Sequence, residues 1–85
     1  MARFEFRIEL HRKDGSTVEA GRFKLEHSDY NGLTDRDGLQ HVTSNPDEFG
    51  YEVNGNAGYV QCGGVVMSLA VFDRLQVELV SKSVS

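Results

Sequence analysis

The sequence predicts a small, mainly β or α+β fold: a twisted antiparallel sheet, barrel- or sandwich-like, of two hairpins and a C-terminal pair of strands. Three observations predict it. Apolar and charged residues alternate through 3–26, Asn54-Gly55 is a strong hairpin signal, and 65–72 is apolar at nearly every position. At most one short helix fits into the connection at 27–48. A sheet crossed by one helix, grasp-like in chain order, is the alternative architecture.

The first predicted hairpin begins with a strand that has one apolar and one charged face. Its apolar face consists of Phe4, Phe6, Ile8 and Leu10, each flanked by charged or polar residues. Lys13-Asp14-Gly15 then predicts a three-residue turn in which Gly15 adopts a positive φ. This turn places Leu10 opposite Val18 and Ile8 opposite Ala20. A two-residue turn at Asp14-Gly15 would mix apolar and charged side chains on one face, so we reject it.

A β-bulge is predicted in the second strand of this hairpin. The apolar positions change from even numbers (Val18, Ala20) to odd numbers (Phe23, Leu25), and one extra residue at Gly21-Arg22 explains the change. Four pairs then become complementary: Phe6 with Phe23, Phe4 with Leu25, Glu5 with Lys24, and Arg3 with Glu26. Glu9 opposite Glu19 is the unfavourable pair that remains.

The connection at 27–48 holds the net charge of the chain. It contains five carboxylates, Asp29, Asp35, Asp37, Asp47 and Glu48, against one basic residue, Arg36. The rest of the chain has eight basic and eight acidic residues, so the formal charge of −4 belongs to this connection. Thr34 followed by Asp37 predicts the N-cap of a helix of one or two turns, which Gly38 weakens.

A second hairpin is predicted from Phe49 to Cys62, with Asn54-Gly55 as a two-residue turn. This register places Tyr51 opposite Gly58, and Phe49, Tyr51, Val53 and Val60 form its apolar face.

The run at 65–72 fits a buried strand better than a buried helix because it begins with β-branched residues. Leu75, Val77 and Leu79 predict a half-buried final strand. We therefore expect one β-rich domain over 1–80 and a frayed tail over 81–85.

The composition limits the cellular compartment and the cysteine chemistry that we expect for this chain. The single cysteine, Cys62, excludes an intrachain disulfide and a thiolate zinc cluster, which favours a reducing, cytoplasmic location. Charge within the first apolar segment argues against a secretory signal, and no apolar run approaches transmembrane length.

Few residues suggest catalysis or ligand binding. Asp35-Arg36-Asp37-Gly38 resembles part of a calcium loop, but Leu33 stands where an oxygen ligand is needed. Cys62 lacks an evident histidine base. The glycines near 55–64 precede neither a helix nor a lysine, so no phosphate site is predicted. Interspersed glutamates offset the arginines of the first hairpin, which argues against direct nucleic-acid binding.

These patterns favour a non-enzymatic protein-binding module without a cofactor. We expect Asp29, Asp35, Asp37, Asp47 and Glu48 to contact a basic surface of another protein. By analogy with some phage-encoded inhibitors, such a protein is expected to act as an inhibitor or accessory protein. The alternative is a small-ligand or metal-binding domain, or a minimal enzyme, around Cys62, His27, His41 and the acidic connection at 27–48. A further alternative is a structural homo-oligomer, such as a homodimer paired through a sheet edge.

Overall fold

The computed structural model describes residues 1–84 as two three-stranded antiparallel sheets and two helices. The elements are β1 (Ala2–Arg12), β2 (Thr17–His27), α1 (Asp35–Ser44), α2 (Pro46–Phe49), β3 (Glu52–Asn54), β4 (Tyr59–Cys62), β5 (Val65–Ser68) and β6 (Phe72–Val84). The long sheet has the order β2-β1-β6, and the short sheet has the order β3-β4-β5. The predicted fold class, mainly β or α+β, is confirmed. The two C-terminal strands, however, belong to different sheets.

The first hairpin forms with the predicted turn. Gly15 has a φ of 91°, and its N–H donates to the Arg12 carbonyl at 3.0 Å. Leu10 pairs with Val18, as expected. The four complementary pairs predicted beyond the bulge are also present. The alternation of apolar and charged residues therefore determines the register of this hairpin.

The bulge lies one position earlier than predicted. Ile8 pairs with Gly21 rather than with Ala20, and Glu9 pairs with Glu19, so Ala20 is the extra residue. Ala20 is only 6% exposed. Placing the extra residue here keeps its small side chain in the core while Phe23 still packs beside Phe6, with ring centroids 5.1 Å apart.

The final strand is longer than predicted. Leu75 and Val77 pair with Leu10 and Ile8, which confirms the half-buried strand. The frayed tail is wrong for residues 81–84, because β6 continues through Val84 and pairs there with the start of β1. Ser85 lies outside the described residues. The backbone hydrogen bonds of β1 are the physical reason that this polar segment is ordered.

The connection contains two helices, so the expectation of at most one is wrong. The backbone N–H of Thr34 donates to the Asp37 carboxylate at 2.8 Å, which confirms the predicted cap. α1 nevertheless extends over 10 residues, and Pro46 begins α2. Phe49 therefore ends a helix instead of starting a strand. Gly50, in the left-handed conformation, terminates that helix.

Gly38 has a packing function that offsets its low helix propensity. It lies where α1 crosses the long sheet. A Cβ at this position would lie 2.5 Å from the Phe6 ring and 2.8 Å from Val77. Glycine therefore allows α1 to approach the sheet closely, and Val42 on the same helix is fully buried.

The second hairpin has a four-residue loop at 55–58 rather than the predicted two-residue turn. The Asn54 side chain accepts a hydrogen bond from the Ala57 N–H at 2.9 Å, and Gly58 takes a φ of 77°. Asn54 consequently pairs with Tyr59, and Val53 with Val60. The predicted pair of Tyr51 and Gly58 is wrong. Val53 is 52% exposed, so it is not part of the core.

The apolar run at 65–72 is divided between two strands. β5 ends at Ser68 and β6 begins at Phe72, so the strand interpretation is confirmed for both ends and no helix forms there. The predicted burial is wrong, because Val66 is 61% exposed and Val71 is 43% exposed. A turn separates them, with the Val71 N–H donating to the Ser68 carbonyl at 3.1 Å.

One cluster of buried side chains connects the two sheets and α1. It consists of Ala2, Phe4, Phe6, Ile8, Leu10, Ala20, Val42, Val60, Cys62, Met67 and Val77. At the junction, Gly63 packs against the carbonyl of Ala20, where any Cβ would collide. Within residues 1–84, neither helix has the length and apolar character needed to cross a membrane.

Candidate functional site

The five predicted carboxylates lie on three separate parts of the fold. Asp29 is in the loop between β2 and α1. Asp35 and Asp37 are in the first turn of α1, and Asp47 and Glu48 are in α2. Sequence proximity alone therefore does not make them one surface, and each group has to be judged by its contacts.

Asp35 and Asp37 stabilise local structure. The Asp35 carboxylate accepts a hydrogen bond from the Leu79 backbone N–H at 2.7 Å, linking α1 to β6. Asp37 accepts from both the N–H and the hydroxyl of Thr34, at 2.8 and 3.0 Å. Since the two carboxylates bind different partners, they do not converge as the calcium-loop hypothesis requires.

Asp29 organises its own loop. Its carboxylate accepts from the Asn31 N–H at 3.0 Å, and its own N–H donates to His27 Nδ1 at 3.0 Å. The loop is attached to β6 by Lys82, whose Nζ lies 3.1 Å from Asn31 Oδ1 and 4.5 Å from the Tyr30 ring centroid. The nearby lysine makes this loop less acidic than its sequence suggests.

The two remaining predicted carboxylates, together with Glu52, form a surface without a lysine or arginine partner. Asp47, Glu48 and Glu52 are all exposed, and we call them the acidic rim. Asp47 and Glu52 line a groove of about 440 Å³, together with Pro46, Gly50, Tyr51 and Gln61. Among residues 1–84, no lysine or arginine pairs with the acidic rim. The imidazole of His41 lies beside it, with Nε2 4.0 Å from Glu48. The Tyr59 hydroxyl donates to the Glu52 carboxylate at 3.3 Å.

Glu52 was not among the predicted site residues. A signal for it is present in the sequence, because no lysine or arginine occurs between residues 37 and 73. This interval includes α2 and the whole short sheet, and extends well beyond the acidic connection at 27–48. If the charged residues are counted to the end of the short sheet, instead of to the end of the connection at 27–48, the count includes Glu52.

The outer face of the long sheet is electrostatically different. Arg7 pairs with Glu78 at 2.6 Å, and Arg22 pairs with both Glu19 and Glu5 at 2.9 and 3.2 Å. The Arg22–Glu19 pair also relieves the predicted repulsion between Glu19 and Glu9. Opposite charges alternate across this face, so it offers a partner little net field.

The residues of the alternative ligand-binding or catalytic site are not brought together. Cys62 is fully buried, and its Sγ lies 3.7 Å from the Phe49 carbonyl. Burial raises the pKa of this thiol, which disfavours the nucleophilic thiolate. His41 packs against the rings of Phe23 and Phe49, with centroids 5.4 and 5.6 Å away, and those two rings also contact each other. His27 packs against Gly32. In residues 1–84, no three histidine, cysteine or acidic side chains are grouped for a metal ion.

No family model, curated protein or solved structure matches this chain. The functional argument therefore depends on the contacts and charges of its own residues.

Proposed function

We propose that this chain is a small protein-binding module whose acidic rim engages a basic surface of another protein. The observation that supports the proposal is the uneven compensation of charge. The long sheet pairs its carboxylates with arginine and lysine, whereas Asp47, Glu48 and Glu52 have no such partner in residues 1–84.

Exposed carboxylates that have no lysine or arginine partner are available to an incoming cation. They attract it over about 8–10 Å near physiological ionic strength, which raises the rate of encounter and suppresses acidic competitors. Asp47 and Glu52 also line a groove. In this proposal a lysine or arginine side chain of the partner enters that groove. Specificity would then come from both charge and fit.

This mode of binding suits an inhibitor or accessory protein. By occupying a basic groove of a larger protein, the acidic rim would compete with that protein's normal anionic ligand. Such an action requires no turnover and depends on stoichiometric binding.

The test is affinity capture from an extract of the source organism, compared across two charge-matched variants. One variant neutralises the acidic rim by Asp47→Asn, Glu48→Gln and Glu52→Gln. The control neutralises three carboxylates that are paired on the long sheet, by Glu19→Gln, Glu26→Gln and Asp73→Asn. Both variants change the net charge equally, so only the location of the change differs.

We expect the wild type and the control to retain the same basic protein, quantified by mass spectrometry, and the rim variant to lose it. Equal retention by all three proteins would contradict the proposal. Equal loss from both variants would show that total charge, rather than the acidic rim, controls the interaction.

A further inference from the structure

We propose that the partner binds as an added β-strand on the free edge of β3, with basic side chains directed at the acidic rim. This inference rests on the proposed function and specifies its binding mode. The occupant is an extended segment of another protein that carries lysine or arginine at alternate positions.

The first step is to establish which backbone groups of β3 are free. The Leu69 N–H donates to the Gly58 carbonyl at 2.9 Å, which identifies Gly58–Leu69 as a hydrogen-bonded pair. Because such pairs alternate in an antiparallel ladder, Val60–Met67 is the next one. The backbone groups of Tyr59 and Gln61 must then point the other way, toward β3.

The second step follows from the pairing of β3 with β4. Asn54 and Glu52 lie opposite Tyr59 and Gln61, so their backbone groups point into the sheet. Val53 lies between them, and its N–H and carbonyl therefore point outward. Val53 as a whole residue is 52% exposed.

The opposite edge of the short sheet provides an internal comparison. By the same alternation, Val66 of β5 directs its N–H and carbonyl outward, and it is 61% exposed. Proteins commonly protect such edges with lysine, proline or a covering loop. Neither edge strand of this sheet contains lysine or proline.

Charge distinguishes the two edges. β3 contains Glu52 and follows directly after Asp47 and Glu48, whereas β5 and the Gly63-Gly64 turn before it contain no charged residue. A strand added to β3 would place its side chains beside Glu52 at cross-strand distance, where opposite charges are favourable. This complementarity favours β3 and a basic occupant.

The probe is a short capped peptide of alternating lysine and threonine, with a glutamate-for-lysine peptide as its control. Binding is measured at low ionic strength by NMR titration, together with hydrogen exchange of the backbone amides. We expect the lysine peptide to bind and to protect the Val53 amide while leaving the Val66 amide unprotected. The glutamate peptide should not bind.

Two proline variants test the backbone contact. Val53→Pro removes an outward N–H that the sheet does not use, and proline is tolerated at such edge positions. Val66→Pro does the same on the other edge. We expect Val53→Pro to weaken peptide binding by roughly 2- to 10-fold, which corresponds to the loss of one backbone hydrogen bond. Val66→Pro should bind like the wild type.

Several outcomes would overturn strand addition. If the rim variant loses the peptide but Val53→Pro keeps it and the wild-type Val53 amide stays unprotected, binding occurs through side chains alone and the proposed function survives. Protection of Val66, or failure of the lysine peptide to bind wild type, also refutes the inference and leaves the proposed function to the capture experiment. A dimer detected by light scattering and abolished by Val53→Pro would assign the edge to a second copy. Hydrogen exchange on the wild type gives a result even if a proline variant does not fold.

Discussion

The two sheets differ in how their exposed groups are compensated. The long sheet has strands of 11 to 13 residues, and its charged face is a set of alternating ion pairs. The short sheet has strands of three or four residues, contains no lysine or arginine, and leaves a valine exposed on each edge strand. The long sheet thus satisfies its charges internally, whereas the short sheet with α2 presents carboxylates that have no lysine or arginine partner.

This difference places the residues that stabilise the fold and the residues proposed for binding in different regions of the molecule. Residues that hold the fold lie mainly where α1 crosses the long sheet, around Phe6 and Val77. The residues proposed for binding lie on α2 and β3, outside that contact. Substitutions in the first region should alter unfolding, and those in the second should alter binding with little effect on unfolding.

The largest effect on stability is expected from Phe6→Ala. Phe6 is fully buried and packs against both Phe23 and Gly38, so truncation leaves a cavity that costs about 3–5 kcal/mol. Denaturant unfolding measures the change. Val66→Ala is the control on the short sheet, with an expected change within about 0.5 kcal/mol. Equal destabilisation by the two substitutions would contradict the proposal that the long sheet stabilises the fold and the edge of the short sheet does not.

A smaller loss of stability is expected from Gly38→Ala. Alanine is intrinsically better in a helix by about 1 kcal/mol, but its Cβ would force Phe6 and Val77 to move, at a cost of about 1–3 kcal/mol. We therefore expect net destabilisation in thermal or denaturant melts. Gly55→Ala serves as the control because no atom lies within 4 Å of its Cβ position. An increase in melting temperature for Gly38→Ala would show that α1 is less tightly packed than described.

The smallest changes in stability are expected for substitutions of two aspartates from the predicted acidic set, Asp37 and Asp47. Asp37→Asn weakens the interaction with the Thr34 N–H and is expected to cost about 0.5–1 kcal/mol. Asp47→Asn removes no hydrogen bond of residues 1–84 and should change stability by less than about 0.5 kcal/mol. Binding should show the opposite order, with Asp47→Asn the more damaging. Loss of binding by Asp37→Asn in a fully folded protein would return the first turn of α1 to the contact surface.

Local patterns explain how much of the fold could be predicted. The alternation around Phe4 to Leu10, the glycine of the turn and the Thr34–Asp37 cap each involve residues close in sequence or directly paired. The position of the bulge depends on contacts across the fold, because the Ala20 carbonyl packs against Gly63 in the turn between β4 and β5. The second hairpin was mispredicted because the Asn54 side chain stabilises a longer loop.

The candidate site was predictable only in part for the same reason. Composition indicated an acidic segment that includes Asp47 and Glu48. It could not show that Asp35 reaches Leu79, 44 residues away in the chain. Nor could it show that the exposed Glu52 lines the same groove as Asp47. Those distinctions depend on tertiary contacts.

The salt dependence of association tests the central claim most directly. The association rate of the captured partner is measured for wild type and for the acidic-rim variant between low salt and 1 M, where the Debye length falls to about 3 Å. We predict that wild type associates faster at low salt and that the two rates converge as salt rises, because exposed charge acts mainly on encounter. Identical rates at low salt, or a wild-type rate that does not change with salt, would contradict a role for Asp47, Glu48 and Glu52 in binding.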